Sequence, residues 1–237
     1  MRILIAVIAF FFLGVLQRGP KLPSAQDVMQ NMEKGFADVK DFVVDIEADV
    51  NMERLRIPKS AATLYYKRPD KIHFSSSSFI MVPREGIVPN PGQLRERYDA
   101  TMSGEERIEG RKHYKLQLAA KDPRTHLRQM YVWIDPSNWT IARMETIPYE
   151  GRTLTVSFTY GLQKEQYWLP LSLHAVFGVI AADTSKPMFP EGSPVVKEQF
   201  EEMQRPSARS GSIDITYSHY RVNTRLSDSI FEQPETK

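Results

Sequence analysis

The chain has 237 residues, 41% of them hydrophobic and 25% charged, with a formal net charge of +2. That suffices for one large domain with a real core, and it excludes a disordered, collagen-like or coiled-coil chain. The near balance of charge and the lack of any long Lys/Arg cluster argue against a nucleic-acid partner, and the absence of cysteine excludes disulfides and a lipidated N-terminal cysteine.

Met1 and Arg2 precede an apolar run from Ile3 to Leu16, the outline of a secretory signal peptide. The run is short for a membrane span, which needs about 20 apolar residues. The predicted leader is residues 1–25 and the predicted domain residues 26–237; removing the leader would bring the net charge near −1. A periplasmic location fits an exported chain without cysteines. No repeat at a fixed period is visible.

Ser24 is suited to be a helix N-cap, with Asp27 three residues on. Val28, Met32 and Phe36 follow at four-residue spacing beside Met29, predicting a short amphipathic helix that ends near Val39. Residues 42–52 then alternate. Phe42, Val44, Ile46, Ala48, Val50 and Met52 are apolar, while Asp45, Glu47, Asp49 and Asn51 are polar. Successive side chains of a strand point to opposite faces, so this run predicts a sheet covered on one side only.

Further strands are predicted over residues 61–67, 71–77, roughly 107–119, 129–134, 140–147, 152–160, 166–174 and 213–220. In residues 152–160, Leu154, Val156, Phe158 and Tyr160 share a face; in 166–174, Tyr167, Leu169, Leu171 and Leu173 do. Turn chemistry at residues 68–70, 103–104, 109–110, 135–138 and 150–151 separates the strands. Such short connections predict an antiparallel meander of mainly β class. Residues 79–94 and 176–194 mix prolines with Phe79, Ile80, Val88, Phe177 and Phe189. They are read either as core filler or as movable covers over an apolar cavity.

Three stretches, taken in order, resemble the bacterial outer-membrane lipoprotein carriers, the LolA-type sorting proteins. They are Leu64-Tyr65-Tyr66-Lys67-Arg68-Pro69-Asp70 running into Lys71-Ile72-His73-Phe74; Tyr131-Val132-Trp133-Ile134-Asp135-Pro136 leading through Arg143 to Phe158; and Tyr220-Arg221-Val222-Asn223 with Leu226 to Phe231. The resemblance implies a strongly curved antiparallel sheet forming an incomplete barrel, with helices or loops covering its open mouth. It also implies a cavity for the acyl chains of lipoproteins or other lipids, membrane transport components as partners, and a lid held shut by the arginine that matches Arg68. Arg68 has five fixed donors able to grip lid carbonyls; as a residue alone it reads equally as an ordinary turn arginine. The chain departs from the family in its proline-rich residues 79–94, in an apparent insertion at 176–194, and in showing no lid helix in mid-sequence.

Alternation assigns Phe42, Val44, Ile46, Leu64, Tyr66, Ile72, Phe74, Val132, Ile134, Leu154, Val156, Phe158, Leu169 and Leu171 to the inward face. These are the predicted lipid-binding residues, some of which would simply pack under the helix, around a hollow that stays partly vacant. Chemistry is harder to find. His73, His113, His126, His174 and His219 lack metal-ligand spacing, and there is no nucleophile elbow, phosphate loop or dinucleotide fingerprint. Asp45, Glu47 and Asp49 read as a solvated face. The expectation is a monomeric, non-catalytic carrier with no cofactor and no metal. The alternative is a lipid-sensing or envelope-assembly protein on the same scaffold that binds a membrane protein.

Overall fold

A computed structural model describes residues 22–52, 55–56, 58–76, 86–122, 124, 127–148, 152–179 and 211–232. Helix α1 (Ala25–Phe36) leads into β1 (Asp41–Met52), a two-residue β2 (Leu55–Arg56), β3 (Ser60–Lys67) and β4 (Lys71–Ser75). Helix α2 (Pro91–Arg97) opens the second half, followed by β5 (Tyr98–Ile108), β6 (Arg111–Ala120), β7 (Leu127–Ile134) and β8 (Ile141–Pro148). Then come β9 (Arg152–Gln163), β10 (Tyr167–Val179), β11 (Gly211–Val222) and a 3-10 turn at Asp228–Phe231. Within the described residues the strands form one antiparallel sheet in the order β4-β3-β1-β11-β10-β9-β8-β7-β6-β5, with β2 beside β1. The end strands β4 and β5 do not pair, so the sheet is not closed.

It is curved. Ten strands laid flat at about 4.8 Å would span roughly 43 Å, whereas a helix of 12 residues is only about 18 Å long. Yet α1 packs against β5 and β10 and sets Phe36 against Tyr66 of β3, which requires the sheet to wrap around it. The capping predicted for α1 is present. The Ser24 hydroxyl accepts from the Asp27 amide at 3.1 Å, and the Asp27 carboxylate takes the Ser24 amide at 3.3 Å in return. The Ser24 hydroxyl also donates to that carboxylate at 2.7 Å, and this bond first, with the amide's second, holds the Asp27 carboxyl below the usual carboxylate range. The apolar face of the helix, Ala25, Val28, Met29 and Met32, is buried in the concave side.

The alternation of β1 is realised: Phe42, Val44, Ile46, Ala48 and Val50 are buried and Asp45, Glu47 and Asn51 exposed. Two bulges change the faces elsewhere. Between Pro170 and Ser172, β10 carries one more residue than β9, and that extra residue is Leu171. Leu171 therefore turns away from Leu169 and Leu173 and is 41% exposed, so its assignment to the inward face is corrected. On β11 an extra residue is accommodated opposite Val43 and Asp45, with His219 at φ 54°, which brings Tyr220 to the same side as Tyr217.

Four further features differ from expectation. The strand read over 107–119 is a hairpin whose turn is Glu109 (φ 50°) and Gly110 (φ 79°), and β5 before it was missed because its outer positions are polar. Gly104, read as a turn, sits at a bulge within β5. A helix does stand in mid-sequence: Pro91 occupies the first turn of α2, where its missing N–H costs nothing, and Asn90 caps it. Residues 176–179 continue β10 rather than opening a loop. Residues 1–21 of the predicted leader, residues 79–85 of the first proline-rich segment and residues 180–194 of the second lie outside the described residues, whereas Ser24 and Ala25, at the end of the predicted leader, are the N-cap and first residue of α1.

Candidate functional site

The site is the concave face of the sheet and what closes it. Helix α1 lies across it, α2 packs beside α1, and Glu33 joins the two through Arg95 at 2.8 Å. Ile87, Val88 and Pro89, just ahead of α2, are buried with them. At the mouth, Arg68 occupies the turn after β3, and its Nη1 donates to the Ala37 carbonyl at 2.7 Å. Ala37 is the C-cap of α1, whose carbonyls have no partner within the helix. Lys40 Nζ donates to the same oxygen at 2.9 Å. Two cations thus sit on the negative end of the helix dipole. The Arg68 turn is itself anchored: Lys67 donates to the Leu226 carbonyl at 2.8 Å, and both Lys67 and Lys71 pair with Asp228. The closing stretch that carries part of the family resemblance therefore buttresses this turn.

Beneath the lid runs a line of aromatic rings. Phe36 meets Tyr66 at 5.9 Å, Tyr66 stacks on Phe42 at 5.0 Å, Phe42 meets Tyr220 at 5.5 Å, and Tyr220 stacks on Tyr217 at 6.5 Å. Rings bring large apolar area, but a buried hydroxyl needs a partner. Each has one: Tyr217 donates to Ile87 O (2.8 Å), Tyr220 to Pro170 O (2.8 Å), Tyr160 to Ile141 O (3.0 Å), and the Tyr66 hydroxyl takes Asn90 Nδ2 at 3.2 Å. Burial pushes all four phenols above their ordinary range, so they stay neutral donors. Tyr217 and Asn90, which also bonds Pro69 O, pin the segment before α2 onto the sheet.

The space left under the lid is small, about 30 Å³. At roughly 10–15 Å³ for each water, it would hold two or three. It is bordered by Met32 and Phe36 of α1, Ile87 and Val88, Trp139 and Ile141, and Tyr160, Trp168, Leu169, Pro170, Tyr217 and Tyr220 of the wall. Among the described residues, the hollow expected to be partly vacant is thus nearly filled by the lid. Of the predicted lipid-binding residues, Phe42 and Leu169 border this space. Val44, Ile46, Leu64, Tyr66, Phe74, Val132, Ile134, Val156 and Phe158 are buried in the same core, with Ile72 and Leu154 packed partly buried against it. Tyr160 and Tyr217 follow the alternation and were legible as inward positions. Tyr220 was not, because the bulge at His219 reverses its face.

The convex face carries charge that is internally paired. Lys59 meets Asp49 at 3.0 Å, Thr63 donates to Asp45 at 3.1 Å, and His174 meets Asp214 at 2.6 Å. Trp133, buried beneath Lys115 and Arg143, donates its indole N–H to Glu106 at 2.7 Å. No group of three or more His, Asp or Glu among the described residues is arranged to hold a metal ion, and no helix there is long and apolar enough to cross a membrane.

No protein-family model matches this chain, and no curated protein sequence does. Solved structures do. An outer membrane lipoprotein-sorting protein domain from Vibrio parahaemolyticus is 12% identical, with a TM-score of 0.59 over 87% of this chain and 97% of that one. A DUF1329 family protein from Desulfovibrio piger is 14% identical (TM-score 0.60, 87% and 96% covered), and a LolA superfamily protein from Nitrosomonas europaea 13% identical (TM-score 0.57, 89% and 98% covered). At such identities the likeness is one of fold, over most of the chain: the open antiparallel sheet with its covering helix is the fold of LolA-superfamily and lipoprotein-sorting domains.

Proposed function

We propose that this protein is a non-catalytic periplasmic carrier that takes the acyl chains of lipoproteins or related lipids onto its concave face, for sorting toward an outer membrane. The observation that carries the reading is the Arg68–Ala37 contact over an apolar interior. A largely apolar face closed by a helix that leans on a few polar bonds at its end can exchange its own side chains for lipid.

The energetics favour such a lid. Burying a methylene is worth about 0.8 kcal/mol, so a long acyl chain would never leave a rigid, dry, empty pocket. When the empty protein refills the space with Met32, Phe36, Ile87 and Val88, uptake must expel them, and the net affinity falls to a level from which cargo can be handed on. Arg68 stabilises only the closed form and so sets that balance.

The test is Arg68→Leu in detergent-free protein, with binding and release of a fluorescent fatty acid followed directly. Weakening a half-exposed, charge-assisted bond, with Lys40 still on Ala37 O, shifts the balance by about 1 kcal/mol, or about fivefold toward the loaded state. Unchanged uptake and release would remove Arg68 from the mechanism. No fatty-acid binding by either protein would remove the carrier reading itself.

A further inference from the structure

Three large apolar side chains stand exposed together at the end of the β9–β10 hairpin: Leu162 (46%), Trp168 (40%) and Leu171 (41%). Leu162 pairs directly with Trp168 across the strands, two residues beyond the Tyr160–Pro170 pair. Trp168 also borders the buried space beside Leu169 and Pro170, so apolar surface continues from that space to the exposed hairpin end. Leu171 covers the opposite face of the same hairpin, lying so close over Gly161 that a Cβ there would fall 2.7 Å from it. A hairpin end apolar on both faces has no use in a monomer's core.

Its surroundings are cationic. Lys164, in the turn, donates to Val222 O at 2.9 Å. Asn223 takes the Lys40 amide at 2.8 Å and bonds the Tyr167 hydroxyl at 3.1 Å. These bonds bring Lys40 and Lys164 to the hairpin, with Arg221 and Arg225 flanking Val222 and Asn223, all four exposed, alongside the exposed acids Asp38 and Glu165.

We infer that the β9–β10 hairpin end is a membrane-docking element, which seats Leu162, Trp168 and Leu171 at the headgroup boundary of an anionic lipid bilayer while the cationic collar meets the headgroups. Trp favours that boundary, and basic residues beside an apolar tip are attracted by its negative charge. Building on the carrier reading, this places the mouth against the membrane, so that an acyl chain would pass between bilayer and concave face beside Trp168 with little exposure to water.

The chain has no cysteine, so Leu162→Cys accepts one environment-sensitive fluorophore at the hairpin, and Asn51→Cys places the same label at the other end of the sheet, where Asn51 pairs with Ser212. On addition of phosphatidylglycerol vesicles, emission at position 162 is expected to rise about threefold while that at 51 stays level. Pure phosphatidylcholine vesicles, or Lys164→Glu in the labelled protein, should give a smaller rise. No change at position 162, the result if the tip instead meets a protein surface, overturns the docking role, and an equal rise with both lipids overturns the choice of an anionic surface. Binding of monomeric dodecanoate by the same labelled protein separates the two ideas, because its loss would count against the cavity and not against the hairpin.

Discussion

The wall and the lid of this molecule are both apolar where they meet, but they are held in different ways. The wall is continuous backbone ladder: β9 and β10 stay paired from Tyr167 opposite Gln163 to Val179 opposite Arg152, and β1 and β11 from Phe42 opposite Val222 to Met52 opposite Gly211. The lid, α1 with α2 and the residues before it, shares no ladder with the sheet. Its polar ties are mostly side-chain bonds: Arg68 and Lys40 on Ala37 O, Tyr217 on Ile87 O, Asn90 on Pro69 O and Lys121 on Arg95 O, beside one backbone bond from the Lys121 amide to Arg97 O at the end of α2. Lifting the lid breaks these bonds and exposes the helix face, but it opens no strand pair. The difference teaches where motion can occur: a unit tied by a few side-chain bonds can open well below the cost of global unfolding.

The largest effect should come from damaging the wall. Leu64, fully buried on β3, has no route to relax, so Leu64→Ala should cost about 2–5 kcal/mol in denaturant unfolding. A loss under about 1 kcal/mol would mean that the wall yields as easily as the lid, and the contrast would break.

A smaller effect marks the seam between them. Tyr66, Tyr160, Tyr217 and Tyr220 are held neutral by burial, with folded pKa values above the value near 10 of an unfolded tyrosine. Raising the pH lets the unfolded chain lose protons that the folded one keeps. Their contribution is therefore intact below about pH 10 and drains above it, by about 1.4 kcal/mol per pH unit for each phenol that stays neutral. Thermal unfolding from pH 8 to 11 should show a plateau and then a decline that Tyr217→Phe makes shallower. A stability that holds steady to pH 11 would contradict the sealed interior.

The wall was legible in the sequence because strict alternation, as in β1, is what a one-sided sheet requires. It failed where a bulge shifts the phase, at Leu171 and at Tyr220, since one inserted residue leaves no mark in a hydrophobicity pattern. β5 was lost because an end strand with polar outer positions such as Glu105 and Arg107 reads like a loop. The lid was half legible. Ser24 and the stripe to Phe36 announce α1, but Pro91 falls within the proline-rich residues 79–94, where the sequence shows no lid helix, and it is the first residue of α2. Arg68 was reached through resemblance to the carrier family; its partner, Ala37 O, is a backbone atom that no sequence pattern identifies. That the lid nearly fills the hollow is a matter of three-dimensional packing, which periodicity does not encode.

The central claim is that α1 must leave the concave face for lipid to enter. A Cβ built on Gly35, in the last turn of α1, lies 4.0 Å from the Trp139 Cβ on the wall, within the range that a disulfide spans, and no native cysteine would compete. In Gly35→Cys/Trp139→Cys, the oxidised protein should take up no fluorescent fatty acid, and reduction of that same sample should restore uptake. Equal uptake by the locked and the reduced forms would contradict a lid that opens.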